Sequence, residues 1–97
     1  MKIQQVFEAL ADQNRRKILE LLKKNEMSVG EIGLHLSITG ASLSHHLNKL
    51  KNADLVISKR DGQTIIYAIH TSVFEDVASL AANFFEIGGK NVKKNKK

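Results

Sequence analysis

The chain has 97 residues, a formal net charge of +5, and neither cysteine nor proline. That length supports one domain whose core buries roughly 60–65% of the unfolded surface. The missing cysteines exclude disulfides and thiolate metal sites, no apolar run approaches the ~18 residues of a membrane span, and the N-terminus lacks a signal-peptide core, so a cytoplasmic protein without membrane insertion is expected.

The charge is unevenly placed. Residues 90–97 hold five lysines and no acid, which leaves ten basic and ten acidic side chains in residues 1–89. Within that neutral part, residues 37–60 carry Lys49, Lys51, Lys59 and Arg60 against Asp54 alone, whereas residues 71–89 carry Glu75, Asp76 and Glu86 and no base. Such polarisation favours a nucleic-acid face more than the bulk figure does.

In chain order, Ile3, Val6, Phe7 and Leu10 fall at i, i+3, i+4 and i+7, the stripe of a short amphipathic helix. Asp12 is placed to cap a second helix running to about Lys24, with Ile18, Leu19, Leu21 and Leu22 inward and Arg15, Arg16, Glu20 and Lys23 outward. Two arginines in a first turn oppose the helix dipole. Asp12 and Glu20 are the expected counter-charges, with a passing phosphate as the lesser alternative.

Ser28 and Glu31 have capping-box spacing for a short third helix that includes Val29, Ile32 and Leu36 and ends near Ser37. Only Ser37 and Ile38 then precede Thr39, the N-cap of a fourth helix in the stretch Thr39–Asp54. Its leucines 43, 47 and 50 define a buried stripe, and Ala41, Ser44, His45, Asn48, Lys49 and Asn52 collect opposite. A face meant only for water would carry Glu and Lys. Short hydroxyls, an amide and an imidazole instead suit a DNA major groove, where small donors and acceptors read base edges. A short apolar helix, a tight connection and a polar-faced helix make the helix-turn-helix pattern.

Between Leu55 and Ile69 two β-branched runs flank Asp61-Gly62. This is a strong hairpin signal, because a type I′ turn needs positive φ at both central residues. The hairpin forms a two-stranded wing with Lys59 and Arg60 at its tip. A bare hairpin is marginal in water, so it must pack on the helices, through Val56, Ile65 and Tyr67.

Thr71 or Ser72 starts a last helix and Gly88-Gly89 stops it. Val73, Val77, Leu80, Ala81 and Phe84 form one apolar stripe on it, and Phe74, Ala78, Ala82 and Phe85 form another. A helix apolar on two sides is buried on two sides. A second copy of the chain, with the first helix contributing its spare side, is the simplest cover; the alternative is an ordinary core helix. Residues 90–97 have nothing to bury and are expected to form a disordered basic tail behind a domain of residues 1–89.

The expected fold is therefore mostly α with a two-stranded β wing, in the order α-α-α-α-β-β-α: a winged helix-turn-helix. Phe7-Glu-Ala-Leu-Ala-Asp12, Arg15-Arg-Lys-Ile-Leu19, Ser42-Leu-Ser-His-His-Leu47 with Leu50, and the wing Asp61-Gly-Gln-Thr-Ile-Ile-Tyr67 carry a further observation. Over residues 3 to about 88 the chain resembles the ArsR/SmtB family of bacterial winged-helix repressors. Ser-x-Ser-His-His-Leu is the most specific of these motifs. The resemblance implies a homodimer paired through its first and last helices that represses transcription from a palindromic operator. Gln13 departs from the proline common there. Metal-sensing members use a Cys pair or cluster near the third helix, or Asp and His ligands from two last helices. With no Cys, and no His after His70, both usual sites are absent, and the chain looks more like the metal-independent SdpR-type branch. Control there comes through expression level or a protein partner; an unidentified protein or a small-molecule inducer is the open partner here.

Residue roles follow. DNA contacts are expected from Thr39, Ala41, Ser42, Ser44, His45, Asn48, Lys49, Lys59 and Arg60, with Ser42, Ser44, His45 and Asn48 at or near base edges and Thr39, Lys49, Lys59 and Arg60 on phosphates. The dimer interface is expected at Ile3, Val6, Phe7, Val77, Leu80, Ala81 and Phe84. His45 and His46 are adjacent, point about 100° apart on a helix and cannot easily chelate one ion together. His45 should face DNA, His46 should hydrogen-bond or pack at the core boundary, His35 should lie on the surface and His70 at the strand-to-helix junction. No phosphate loop, nucleophile elbow or carboxylate pair appears, so no catalytic residue, metal or cofactor is expected. Double-stranded operator DNA and a second copy of the chain are the expected partners. A non-specific DNA-coating protein, or an interaction module controlled by a partner, are the alternatives.

Overall fold

The computed structural model describes residues 2–85. Gly88-Gly89, the lysine tail and the far boundary of the expected domain lie outside the described residues.

Helix α1 (Ile3–Leu10) and helix α2 (Gln13–Lys24) are joined by only Ala11 and Asp12. The Asp12 carboxylate accepts from the Arg15 backbone N–H at 3.0 Å and caps α2. A short strand β1 (Met27–Ser28) leads into α3 (Val29–Gly33) through a complete capping box. There the Ser28 hydroxyl accepts from the Glu31 N–H at 3.1 Å, and the Glu31 carboxylate accepts from the Ser28 N–H at 2.8 Å. Helix α4 (Gly40–Asn52) starts where Thr39 Oγ1 accepts from the Ser42 N–H at 3.0 Å. Strands β2 (Val56–Asp61) and β3 (Thr64–Ile69) form the wing, and α5 (Thr71–Phe85) follows.

Ile18, Ile32, Leu47, Leu50, Leu55, Val6 and Val56 are the largest fully buried side chains, so every element from α1 to β2 except β1 contributes to one core. Tyr67 joins it from β3. Burial of this kind stabilises by roughly 1.5–3 kcal/mol per large aliphatic side chain, and it fixes α4 from behind.

Four details differ from the sequence reading. Helix α3 stops at Gly33, not near Ser37, and six residues separate it from α4. After Gly33 the His35 and Leu36 N–H groups bond to carbonyls three residues back, a tightening turn. Leu34 is left 85% exposed, while Leu36 and Ile38 fold inward onto the core. Second, the sheet has three strands, in the order β1-β3-β2. Met27 and Ser28 pair with Tyr67 and Ile66; two residues are too few to show alternation in a sequence.

The third difference lies in the wing turn. Asp61 pairs with Thr64, so the loop residues are Gly62 and Gln63. Gly62 has φ +66, and Asp54 is the only non-glycine described with positive φ, so Gln63 has negative φ. Type I′ is thereby excluded, and positive φ at the first loop residue alone is the type II′ pattern. Fourth, Ile65 is 36% exposed, whereas Val56 and Tyr67 are buried. Ile65 pairs with Arg60 near the tip and borders an open cleft with Val29 and Gly30 of α3 instead of joining the core.

Candidate nucleic-acid interface

Leu43, His46, Leu47 and Leu50 are the buried residues of α4, spaced i, i+3, i+4 and i+7. Ala41, Ser44, His45, Asn48, Lys49 and Asn52 are all exposed, and Ser42 is half-buried at the flank. Thr39 is exposed, and its hydroxyl accepts the cap bond while keeping its O–H to donate outward. Lys49 lies on the α1 side, beside a shallow cleft it shares with Gln5, Glu8 and Asn52.

Both ends of α4 are held. At its C-terminus the Asp54 N–H bonds to the Lys51 carbonyl at 2.9 Å and the Leu55 N–H to the Leu50 carbonyl at 3.0 Å, with Asp54 at φ 62. This is a Schellman motif in which aspartate occupies the left-handed position that glycine usually takes. The fully buried Leu50 and Leu55 supply its apolar contact. Lys2 adds a cation to the negative helix end, donating to the Asn52 carbonyl at 2.8 Å and lying 3.6 Å from Asp54. The start of the wing is thereby tied to the end of α4.

Arg15 does not point outward as expected, and Arg16, though exposed, folds back onto α1. Arg15 Nε donates to the Ala9 carbonyl at 2.9 Å, Nη2 to the Glu8 carbonyl at 3.0 Å, and Nη1 meets His46 Nδ1 at 3.1 Å. Arg16 Nη1 donates to the Leu10 carbonyl at 2.8 Å. The anion that their position demanded is the carbonyl end of α1, because a two-residue link sets the start of α2 beside the end of α1. Glu20 pairs with Lys23 instead. The Arg15 N–H, chiefly, holds the Asp12 carboxyl below its ordinary value against some desolvation, with smaller contributions from the neighbouring His46 and Arg15 side chains and the Asn14 N–H.

On the wing, alternation puts Lys59 and Arg60 on opposite faces of β2. Lys59 lies 3.4 Å from Glu26, an exposed pair that a phosphate would have to displace. Arg60 is exposed and makes no ion pair among the described residues. On the far side, Phe7, Leu80, Ala81, Phe84 and Phe85 line an apolar cavity of about 150 Å³. Phe7 is 55% and Phe84 77% exposed, and Ile3 and Leu80 are partly exposed. Val77 packs partly on the core. Val6 is corrected: its side chain is fully buried within the protomer and is not available to a second chain.

A family model described as bacterial regulatory protein, arsR family, matches residues 12–58, from the cap of α2 into the wing. The transcriptional repressor SdpR of Bacillus subtilis (strain 168) is 45% identical over 83 residues, covering 86% of this chain and 92% of that protein. The chain belongs to the arsR family. Among solved structures, HlyU from Vibrio cholerae superposes on this arsR-family protein with a TM-score of 0.71 at 30% identity, covering 87% of this chain and 91% of that one. The homodimeric winged helix-turn-helix DNA-binding domain of Mb0332 from Mycobacterium bovis does so with a TM-score of 0.69 at 28% identity, covering 92% and 86%. The winged helix-turn-helix fold is thus shared with proteins of this family, which are regulators and not enzymes.

Within this arsR-family chain, then, Ser44 and His45 stand on the exposed face of α4. No helix is long and apolar enough to cross a membrane among the described residues, and no three His, Asp or Glu side chains gather among them to hold a metal ion. His70 bridges β3 and α5 through its backbone, its N–H on the Leu55 carbonyl and its carbonyl on the Phe74 N–H. The sequence reading missed the part played by Arg15. Its signal was present: a polar residue, His46, within a leucine stripe, and a link too short to let the first turn of α2 escape α1.

Proposed function

We propose that the chain is a sequence-specific transcriptional repressor that acts as a homodimer on an inverted-repeat operator, in the cytoplasm, with no metal-sensing site. The observation that carries this reading is α4: a helix held at both ends and buried on one face, with Ala41, Ser44, His45 and Asn48 exposed on the other. Asn48 is the discriminating contact, since an amide pairs bidentately with adenine. His45, Ser42 and Ser44 assist at base edges, while Thr39, Lys49 and Arg60 hold phosphates. Lys59 joins them after release from Glu26.

The uncovered apolar cavity between α1 and α5 supports pairing of two copies through Ile3, Phe7, Leu80, Ala81 and Phe84, with Val77 at its edge. SdpR is named a repressor and the Mycobacterium bovis domain is homodimeric. The absence of Cys supports metal independence, with control falling to expression level, a protein partner or a small molecule.

Selection of bound fragments from random DNA tests the proposal. Two half-sites in inverted orientation, about 10–10.5 base pairs centre to centre, are the expected yield. Fragments without a shared sequence, competed away equally by bulk DNA, would establish the non-specific coating reading instead.

A further inference from the structure

Arg15 stands where α1, α2 and α4 meet, and base reading does not use it. We propose that Arg15, acting through His46, is a positioning residue: it locks the reading helix at one angle to α1 and so sets the operator spacing that the dimer accepts. The inference rests on the repressor reading above, with α1 at the dimer interface and α4 in the groove.

Three observations carry it. The Arg15 guanidinium is a planar, rigid fork, and all three of its nitrogens are engaged: Nε and Nη2 on the Ala9 and Glu8 carbonyls of α1, Nη1 on His46 Nδ1 of α4. An arginine N–H only donates, so in this contact Nδ1 is the acceptor, with the Asp12 carboxylate 3.9 Å from the same nitrogen. Second, His46 is 7% exposed and is the buried polar residue of the described core. Its companions on the buried stripe are leucines, and a leucine would fill the position without a polar atom. Apolar contacts are non-directional and tolerate sliding, whereas a hydrogen bond from a fixed fork does not. Third, Phe7 of the proposed interface immediately precedes Glu8, whose carbonyl Arg15 grips. A continuous path therefore runs from the partner-facing side of α1, through Arg15 and His46, to the neighbouring His45 and Asn48.

Inserting or removing one base pair between half-sites moves them by about 3.4 Å and rotates them by about 35°. A dimer with rigidly held reading helices rejects such operators, and one with loosened helices accepts them. The test uses the full chain and the fragment that wild type selects from random DNA, with its centre intact, lengthened or shortened by one base pair. Fluorescence anisotropy gives each Kd, gel filtration the dimer, and thermal unfolding the fold.

Wild type should prefer the intact centre by at least about tenfold, which is about 1.4 kcal/mol. His46→Leu, which keeps the volume and removes the acceptor, should flatten that preference to about threefold or less while remaining a folded dimer. His46→Asn should restore it, because its Oδ1 stands where Nδ1 stood. Arg15→Lys, whose compact ammonium on a flexible stem lacks the rigid fork that spans these acceptors, should match His46→Leu, and the double variant should be no worse than either alone. A purely structural role would lower the unfolding midpoint and leave the spacing preference unchanged. That result, or additive losses in the double variant, overturns the proposal. Should His46→Leu not fold, Arg15→Lys decides by the same criterion. A wild-type chain that selects no sequence overturns the repressor reading and this inference together, whereas sharp wild-type spacing preserved in the variants overturns this inference alone.

Discussion

Helices α4 and α5 are both amphipathic, yet they are finished to different degrees. In α4 four residues at one-face spacing are buried within the protomer, and apart from Gly40 and Ala41 polar side chains occupy the rest. In α5 no described residue is fully buried, although the helix carries Val73, Phe74, Val77, Leu80, Phe84 and Phe85. Its first two turns lean on the core, while Phe84 and Phe85 stack edge to face at 4.9 Å with most of their surface open. One helix has its apolar side satisfied and its polar side spare; the other has apolar surface to spare. A polar surplus on a rigid helix suits hydrogen bonding to another molecule, and an apolar surplus suits exclusion of water by a second chain.

Phe84→Asp attacks the open helix and should have the largest effect on DNA binding. A charge buried at the pairing surface should give monomers, and losing the second half-site should weaken operator binding on the order of a hundredfold or more. Sedimentation and anisotropy read the two together, and a dimer that persists would place the interface elsewhere. Leu47→Ala attacks the finished helix from beneath. Its side chain is 1% exposed, so the loss should be about 2–5 kcal/mol of folding stability by urea titration. A loss below 1 kcal/mol would mean that α4 is less firmly seated than its burial indicates.

On the outer face, Asn48→Ala should reduce discrimination at one base position by about 1–3 kcal/mol. Arg60→Ala on the wing should weaken all sequences alike and lower the salt slope by about one. If Arg60→Ala changed sequence preference and left the salt slope alone, the division between reading helix and wing would fail. The smallest effect belongs to Asp12→Ala, about 1 kcal/mol of stability at neutral pH. The Asp12 carboxyl is held below its ordinary value of 3.8, so its charged form favours the folded state. That stability is present above the unfolded value and is lost as pH falls through the lowered folded value. The difference between wild type and variant should therefore shrink below about pH 4, and a difference constant down to pH 2 would remove the carboxylate from the role.

Where a feature depends on residues within about four positions of one another, it was legible. The Asp12, Ser28 and Thr39 caps, the leucine stripe of α4 and the two runs of the wing all appear where local chemistry demands them. The outer face of α4 followed from the same periodicity, since burying one side of a helix leaves only the other. Local chemistry was ambiguous where competing short-range patterns overlapped, as in the wing turn and in the run after Gly33.

What only tertiary structure decided involves partners distant in the chain. Arg15 and His46 are 31 positions apart, and neither announces the other until α2 and α4 dock. Strand β1 exists because Met27 and Ser28 lie against Tyr67 and Ile66, and Lys59 meets Glu26 for the same reason. Val6 and Phe7 are adjacent on one apolar stripe, yet docking buries the first completely and leaves the second more than half open. Periodicity sorts the sides of a helix; only packing determines which part of an apolar side the chain itself covers and which part is left for another molecule.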